Sequence, residues 1–436
     1  MKSGSAMSTP LSDPTKLPRH DVMCIDCKSF YASCEAVARG EDPLSANIAV
    51  LSREESSGGL ILAASPYTKQ EYGVKLGTRK FELKPAMDIN LVEPHMARYI
   101  QKNYEINLIY RQFTDDAHWF PYSIDESFID VGASHKIFGS NFKIAQAIQK
   151  KVKAETGIVT TVGMGENPLL AKLALDNAAK RKAPWIARWT YANVPETIWK
   201  IPNLTDMWGI GNAYANKLRS FGIYSVYDLA HADVNMLKRR LGVMGEQLYY
   251  HAWGIDYSLL ERRYLPRSKS KGYGNSQVLM KDYTDSHEIE LVLREIADQV
   301  STRLRKDNVE CEIVQIEIGF GEPDAKGRGH YSTQMHIQPT NSSRGLQNAV
   351  KYLFEKSWNK QMLRSLGVRA SKLSIPQAMQ LDLFEDPDMQ LQSMKLDTVI
   401  DKIRNRYGFK ALMRASSLSE GATALARTDL VGGHKA

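Results

Sequence analysis

Two apolar segments that carry carboxylates at their ends constrain the fold of this chain more than any other feature. The segment DVMCID reads as a buried strand that ends in Asp26, and YSIDESFIDV reads as a second strand with Asp125 and Glu126 side by side at its start. Because consecutive strand residues point to opposite faces, one of the pair should face Asp26 and the other should turn partly aside. The pattern predicts a sheet that brings three carboxylates together.

Three carboxylates in one place require a cation. An ionised carboxylate at the end of an apolar strand is costly unless it faces solvent or a cation, and adjacent carboxylates repel each other unless a cation screens them. Hard oxygen donors of this kind suit Mg²⁺, which keeps water and phosphate oxygens in its shell. The alternative is a solvated strand edge that carries ordinary surface acids.

Strand and helix signals alternate over the first part of the chain, which predicts an α/β (α+β) fold. The predicted strands cover residues 21–26, 47–51, 60–64, 122–131 and 159–165, and the predicted helices cover residues 30–37, 99–111, 137–156 and 168–182. From Pro184 to Arg263 the chain reads as wholly helical, with short helices joined at glycines.

A second compact unit is predicted after a basic linker, RRYLPRSKSK, at residues 262–271. Asp285 and Glu288 form a capping pair ahead of an amphipathic helix, and two alternating strands and a second helix follow. The order over residues 272–375 is βαββαβ, a split ferredoxin-like arrangement. The tail, residues 376–436, is predicted to hold a short acidic stretch, a helix near residues 396–406 and a mobile polar end.

Composition adds limits rather than a function. The net charge of +8 and pI near 9.0 suit a polyanionic partner, although many proteins without one have similar values. The 4 cysteines indicate a reducing compartment, and Cys24 and Cys27 form a C-x-x-C that has no second pair to complete a zinc site. No apolar run is long enough for a membrane span, and the polar start lacks the core of a signal peptide. We therefore expect a cytoplasmic protein with a disordered N-terminus over residues 1–20.

Three dense motifs then occur in order: DCKSFYASCE, SIDESFID and GENPLLAKLALDNAAK. With them the sequence resembles the Y-family translesion DNA polymerases, closest to the UmuC-like branch. The resemblance implies an error-prone, template-directed DNA polymerase of an SOS-type DNA damage response that uses primer-template DNA and dNTPs. It also implies a right-hand architecture, with the palm at residues 21–37 and 97–185, fingers at 38–96, a helical thumb at 186–261 and a little finger at 272–375.

The resemblance also implies roles for individual residues. Asp26 and Asp125 bridge two Mg²⁺ ions (Mn²⁺ is an alternative), Glu126 completes the site, and the Cys27 carbonyl is a backbone ligand. The implied nucleotide-binding residues are Phe30, the steric gate Tyr31, Tyr67, and Lys172 on the β- and γ-phosphates.

One position departs from the family pattern. The family usually places Arg or Lys three positions after the tyrosine that matches Tyr67, where this chain has Gln70. Lys69, Lys75 or Arg79 are the candidates to replace that charge.

Two further motifs predict partners. MWGIGNAYANKLRSFGI resembles a helix-hairpin-helix in which the N–H groups of Gly209 and Gly211 approach a DNA phosphate near Lys217; the alternative is a plain glycine turn. The basic linker either tracks the DNA backbone or is merely solvated. The peptide Gln380-Leu381-Asp382-Leu383-Phe384 matches the peptide that many bacterial polymerases insert into the sliding clamp; the alternative is packing on its own domain. SOS accessory proteins are further candidate partners.

Two rival functions remain at this stage. A nucleotidyl cyclase also pairs carboxylates on a palm-like sheet, but it has no need of a helix-hairpin-helix, a basic linker or a clamp peptide. A clamp-tethered DNA-binding scaffold with a decayed active site would not need the three carboxylates and Lys172, all of which are present.

Overall fold

The computed structural model describes residue 10 and residues 16–52, 59–84, 86–262, 272–324, 327–376, 386–431 and 433–435. The chain divides into two compact units, with the boundary between Leu265 and Pro266. This boundary falls inside the predicted linker, of which only Arg262 belongs to the described residues.

The first unit is built on a five-stranded sheet with the order β5-β6-β1-β7-β8. Strand β1 lies at the centre and pairs antiparallel with both β6 and β7. Because β1 is apolar at nearly every position, each of its faces lies under a helical layer. The strands are β1 (Val22–Cys27), β5 (Trp119–Pro121), β6 (Glu126–Asp130), β7 (Thr160–Gly165) and β8 (Ile186–Trp189).

One face of this sheet is covered by long helices. Met23 and Ile25 of β1 point into that core, which also contains Phe30, Tyr99 and Ile148. The helices of the first half are α1 (Phe30–Ala38), α2 (Pro66–Tyr72), α3 (Met96–Tyr110), α4 (His135–Phe138) and α5 (Asn141–Thr156). The single helix predicted over 137–156 is two helices, because the chain turns at Gly139, which has a φ of 87°.

The other face of the sheet is approached very closely by α6 (Pro168–Ala174), which continues as one π-helical turn, Leu175–Ala179. A Cβ atom at Gly163 would lie 2.1 Å from the carbonyl oxygen of Ala171, and one at Gly165 would lie 2.3 Å from its nitrogen. Only glycine permits this approach. The carboxylates of the sheet therefore lie directly beside the α6 segment.

A small sheet is inserted between α1 and α3. Strand β2 (Ile48–Leu51) pairs antiparallel with β3 (Ile61–Ala64) and parallel with β4 (Asn90–Val92). Helix α2 follows β3 directly and is capped by Ser65, whose Oγ accepts from the Thr68 N–H.

A helical region follows β8, and its core also includes Leu169, Leu170 and Leu173 of α6. Its helices are α7 (Asn212–Arg219), α8 (Val226–Ala230), α9 (Val234–Leu241) and α10 (Val243–Ala252). The prediction that residues 184–263 are wholly helical is wrong at the start, because Ile186–Trp189 pairs parallel with β7 as the edge of the large sheet. A four-residue strand at a sheet edge has too short a pattern to be separated from helix.

The N-terminus also differs from the prediction at its end. Leu17 is buried in the helical core, the Pro18 carbonyl accepts from the Tyr191 hydroxyl, and Arg19 pairs with Glu166. Disorder through residue 20 is therefore wrong for these residues.

The second unit confirms the predicted βαββαβ order. Its elements are β9 (Gly272–Tyr283), α11 (Ser286–Lys306), β10 (Glu310–Phe320), β11 (His330–Thr340), α12 (Ser343–Ser357) and β12 (Leu363–Ser374). The strand order is β11-β10-β12-β9, so β12 separates β9 from β10 and β10 separates β11 from β12. The Asp285 side chain caps α11 by accepting from two N–H groups, as the sequence predicted.

The C-terminal segment folds onto this same unit, contrary to the predicted mobile end. Helix α13 (Pro387–Tyr407) is joined to α11 by buried ion pairs, among them Arg305 with Asp397 (3.2 Å) and Asp401 (2.6 Å). The short elements α14 (Ala424–Arg427), β13 (Leu430–Val431) and β14 (His434–Lys435) follow. A Glu295 oxygen accepts from the N–H groups of Thr423 and Ala424. Such contacts need pairing partners distant in sequence, which no local pattern reveals.

Candidate active site

The register of the large sheet places two of the three acids opposite each other. Asp26, the second-last residue of strand β1, lies opposite Glu126 of β6 in the register. The prediction that Asp125 lies within the strand is wrong, because strand β6 starts at Glu126 and Asp125 lies in the bend before it. The Asp125 carbonyl accepts from the Cys27 N–H at 2.9 Å, and its carboxylate accepts from Ser123 at 2.8 Å. This bend holds Asp125 beside the other two acids.

Each of the two paired acids is met by an ammonium group. Lys172 of α6 lies 2.7 Å from a Glu126 oxygen, and Lys180, just after the π-helical turn, lies 3.1 Å from an Asp26 oxygen. Asp176 lies between these lysines and contacts both, at 3.0 and 2.9 Å. Glu126 also accepts from the buried thiol of Cys24 at 2.9 Å.

Asp26 is the most perturbed carboxyl of this group. Its burial raises its pKa to about 6; Lys180 opposes the shift, whereas Asp125 and Glu126 add to it. A carboxylate that stays costly to ionise despite an ammonium partner is a typical feature of functional sites.

The donor set fits a hard divalent cation, because its side chains offer carboxylate oxygens at one end of a sheet. Among the described residues, however, no group of three His, Cys, Asp or Glu side chains lies close enough together to form a metal site. Lys172 and Lys180 occupy the oxygens of Glu126 and Asp26 here, so a cation would have to displace them. The Cys27 side chain is buried in the apolar core, which leaves only its backbone to act as a ligand.

The two lysines differ in how they could meet a substrate. The side chain of Lys172, predicted to grip phosphates, is 9% exposed and held by Glu126 and Asp176, whereas the Lys180 side chain is 34% exposed. The sequence reasoning missed Lys180. The spacing of Lys172, Asp176 and Lys180 at i, i+4 and i+8 is the signal that could have found it, since such residues share a helix face.

Tyr31, the predicted steric gate, packs against Tyr99, which belongs to a buried hydrogen-bond network. The Tyr31 ring stacks on Tyr99 with a centroid distance of 4.4 Å and an interplanar angle of 14°. The Tyr99 hydroxyl donates to Glu35, which is 1% exposed and also contacts Arg98. Phe30 is 3% exposed and packs in the core, so only its backbone is available to a nucleotide.

Helix α2 brings a further cation to the acids. Tyr67 is 40% exposed on its first turn, and the ammonium of Lys69 donates to Ser29 at 2.8 Å. Ser29 lies only three residues after Asp26. Gln70 is exposed, as are Lys75 and Arg79 beyond the helix.

The predicted helix-hairpin-helix has the required backbone. Gly209 has a φ of 93°, a conformation that favours glycine, and Gly211 is the N-cap of α7. Lys217 lies exposed on α7 with its ammonium over the Tyr214 ring at 5.8 Å. The predicted clamp peptide (Gln380, Leu381, Leu383 and Phe384) lies outside the described residues.

The first unit thus joins paired acids and lysines to a five-stranded sheet with helices on both faces. Family models extend this to the sequence: the impB/mucB/samB family matches residues 25–176, its C-terminal domain matches 270–383, and its HHH motif matches 191–223. The helix-hairpin-helix is thereby confirmed.

Individual relatives cover nearly the whole chain. It is 38% identical to a "Putative UV-damage repair protein UvrX" of Bacillus subtilis, over 97% of this chain and 99% of that protein. It is 34% identical to "DNA polymerase IV 2" of the same species, over 95% and 98% of the two chains. The solved Y-family DNA polymerase chimera Dbh-Dpo4(243-245)-Dbh has the same fold, with a TM-score of 0.64 at 19% identity over 82% of this chain and 100% of that one.

The chain therefore belongs to the impB/mucB/samB family, that is, to the Y-family translesion polymerases, and it is a DNA-directed DNA polymerase. Its substrates are DNA and dNTPs, and the family generally uses divalent metals. The nearer likeness to the UmuC branch stays a prediction. Within the described residues no helix has the length and apolar character needed to cross a membrane.

Proposed function

We propose that this polymerase performs error-prone translesion synthesis with two divalent ions, Mg²⁺ or alternatively Mn²⁺, held by Asp26, Asp125 and Glu126. The observation that carries the assignment is Asp26, whose buried carboxylate remains costly to ionise although Lys180 lies 3.1 Å away. A bound cation would remove that cost. The ions would activate the primer hydroxyl and stabilise the charge that develops at the α-phosphate.

The surrounding side chains have supporting roles in this proposal. If the carboxylates held the ions, the ammonium of Lys180, which pairs with Asp26 here, would be free to contact the triphosphate. Lys172, once a cation takes its place at Glu126, would contact the β- and γ-phosphates. Tyr31, fixed by its stack on Tyr99, lies flat where a ribose 2′-hydroxyl would otherwise fit, and Tyr67 contacts the triphosphate.

The architecture supports the assignment of the domains as a right hand. The large sheet with α3, α5 and α6 is the palm, the β2-β3-β4 sheet is the fingers, and α7 to α10 form the thumb, in which Gly209, Gly211 and Lys217 meet a DNA phosphate. The second unit is the little finger, and in this chain it includes α13 and the residues that follow. The strand Ile186–Trp189, which the sequence assigned to the thumb, is assigned to the palm because it pairs with β7.

The cellular role that we propose is DNA damage tolerance within an SOS-type response. The name of the UV-damage relative supports this role. We further propose that residues 380–384 bind the sliding clamp and that SOS accessory proteins are additional partners; the sequence motif supports the clamp. A catalytically decayed scaffold is not favoured, since the carboxylates and lysines form one connected network.

The assignment is tested by replacing each acid in turn. Asp26→Ala, Asp125→Ala and Glu126→Ala should each abolish primer extension with Mg²⁺ and dNTPs while primer-template binding stays close to wild type. Asp116→Ala is the matched control, because Asp116 is an exposed acid of the same unit that pairs with Arg111. Wild-type extension by any of the three variants would reject the metal assignment.

A further inference from the structure

Three ammonium groups, those of Lys28, Lys69 and Lys180, gather near Asp26. Lys180 lies 3.1 Å from Asp26, Lys28 reaches to 3.4 Å from the Lys180 carbonyl oxygen, and Lys69 is held at Ser29. Asp176 offsets part of the charge but is shared with Lys172. The acids Asp26, Asp125 and Glu126 also lie beside this cluster. If they held cations, the ammonium groups would lose these partners, so the cluster fits a site for a polyanion.

Lys28 and Lys69 are held there by the fold and are not simply solvated. Lys28 follows β1 directly, and its ammonium lies 5.1 Å from the centre of the Trp185 ring. Ser29 has φ and ψ of 48° and 49°, a left-handed conformation that a non-glycine residue adopts only when its surroundings require it. Its hydroxyl accepts the Lys69 ammonium at 2.8 Å. Desolvation lowers the pKa of Lys69; Asp26 opposes that shift, and Lys180 adds to it.

The position of Lys69 also explains how this chain can have an uncharged residue, Gln70, where the family usually has Arg or Lys. Consecutive residues of a helix are rotated by about 100° around its axis. A cation at position 69 therefore lies on a different face of α2 from a cation at position 70. Here that other face meets Ser29, at the start of α1, and thereby the acids. Lys75 and Arg79, the other candidates, lie beyond the end of α2 at Tyr72.

We propose that Lys69 and Lys28 form, with Lys180, a three-lysine cradle for the phosphates of the incoming nucleotide, and that Lys69 supplies the charge missing at Gln70. The inference rests on the proposed function in placing the reacting nucleotide at Asp26. It adds that the binding charge of α2 comes from a different helix face in this chain.

The test measures binding without chemistry. Full-length enzyme is bound to a primer-template with a dideoxy-terminated primer, and the equilibrium affinity for the next correct dNTP is measured. A lost charge-assisted contact weakens binding by about tenfold or more, so Lys69→Ala should bind dNTP at least tenfold more weakly, with Lys28→Ala affected in the same direction. Lys69→Ala should discriminate less between dNTP and dNDP, and its affinity for primer-template should not change.

Two matched variants separate a phosphate contact from a structural role. Lys75→Ala removes a nearby exposed lysine and should leave dNTP affinity unchanged. Gln70→Arg in the Lys69→Ala background should restore most of the affinity, because it returns a cation to the helix. A Lys69→Ala enzyme with dNTP affinity within twofold of wild type, or a parallel loss of DNA affinity, would overturn the cradle. Failure of the metal assignment would appear separately, as activity in the Asp26→Ala variant.

Discussion

At the scale of single residues, the site combines groups that would be unfavourable anywhere else in the fold. Asp26 is a carboxylate on a strand whose other residues are buried and apolar, and burial raises its pKa to about 6 from an ordinary 3.8. Natural proteins accept such local costs where function requires them. The cost can be measured as stability.

The first prediction follows from the direction of this shift. Because the folded-state pKa of Asp26 lies above its unfolded value, the cost of ionisation is absent below pH 3.8, grows between pH 3.8 and about 6, and is complete above that. Asp26→Asn should therefore raise the free energy of unfolding of the metal-free enzyme at pH 8, by at most about 3 kcal/mol. Denaturant unfolding at pH 8 and pH 4 checks the sign.

The same experiment has an internal control. The difference between variant and wild type should disappear near pH 4, and Mg²⁺ should stabilise the wild type more than the variant. A variant that is less stable than wild type at pH 8 would show that the Lys180–Asp26 pair outweighs the desolvation of Asp26.

The second prediction concerns sugar discrimination. Tyr31→Ala should admit ribonucleotides far more readily, because the barrier that we propose is steric, and the ratio of rNTP to dNTP incorporation efficiency measures it. Tyr99→Leu should raise the same ratio by a smaller factor, since it removes the stacked ring at 4.4 Å, whereas Tyr99→Phe keeps the ring and should stay near wild type. An unchanged ratio for Tyr31→Ala in an active enzyme would mean that the gate lies elsewhere.

The residues of the site were predictable to different degrees. The three carboxylates stand out because an ionised group at the end of an apolar strand is costly, and the structure pairs two of them, Asp26 and Glu126, across β1 and β6. Lys180 was missed because a lysine after a helix is usually solvated, and only the fold brings it to Asp26. The Phe30 side chain packs in the core, and a nucleotide contact through its backbone stays a prediction.

At the scale of elements, the site depends on how closely α6 approaches the sheet. Gly163 and Gly165 of β7 face α6 without side chains, and the lysine that holds Glu126 is carried by that helix. A short strand of Thr, Val, Gly and Met gives no sign in its own pattern that a helix will pack against its glycines. Contacts of this kind are decided by tertiary structure.

The third prediction tests this approach. In Gly165→Ala the new Cβ would lie 2.3 Å from the Ala171 nitrogen, so α6 must move away. We expect a loss of about 1–3 kcal/mol in stability and reduced primer extension, because Lys172 is displaced from Glu126. Gly329→Ala is the control, since a Cβ there would meet nothing within 4 Å. A stable, fully active Gly165→Ala enzyme would contradict the close contact.

Helices and strands with a long hydrophobic pattern were predicted correctly, whereas those with a short pattern were not. Helix α11 repeats its apolar residues over 21 positions and was found with its cap, as were the strands of the second unit. Strands β5 and β8, with three and four residues, were missed or read as helix. The break at Gly139 and the π-helical turn are local departures that periodicity does not record.

At the scale of the whole molecule, the C-terminal segment is the largest departure from expectation. A polar, charged tail is normally solvated, yet α13 buries the charges of Asp397 and Asp401 against Arg305. The family model of the C-terminal domain ends at residue 383, before this helix begins. The clamp motif is thus followed by a folded segment and preceded by β12, both within the second unit.

The fourth prediction addresses how α13 is attached. Arg305→Ala removes the guanidinium that lies nearest to Asp397 and Asp401 and leaves Asp397 with Arg414 at 3.8 Å and the Ser343 N–H. Breaking a buried ion pair typically costs about 3–5 kcal/mol, and these remaining contacts place the expected loss at the lower end. Backbone amides of α13 should exchange hydrogen much faster in this variant, while those of the large sheet in the first unit should not change. Arg344→Ala, on α12, serves as a control. Unchanged protection of α13 would mean that other contacts hold the helix.

The last prediction joins the molecule to its partner. Leu381, Leu383 and Phe384 are apolar residues in an acidic, otherwise polar stretch, where exposed apolar side chains are unfavourable without a binding pocket. If they dock in the clamp, Leu383→Ala with Phe384→Ala should cost about 2–4 kcal/mol of clamp binding, as hot-spot anchors do. Clamp-stimulated extension should fall, whereas extension of a short primer without clamp should stay near wild type.

The folded segment after the motif provides a sharp control for this experiment. Because α13 begins at Pro387, the motif is tethered at both ends to the second unit, so a structural role would disturb α13 as well. The double variant should keep the hydrogen-exchange protection of α13 while it loses clamp affinity. Equal clamp affinity of variant and wild type would reject the docking role, and a joint loss of α13 protection and clamp-free activity would assign the peptide to the fold instead.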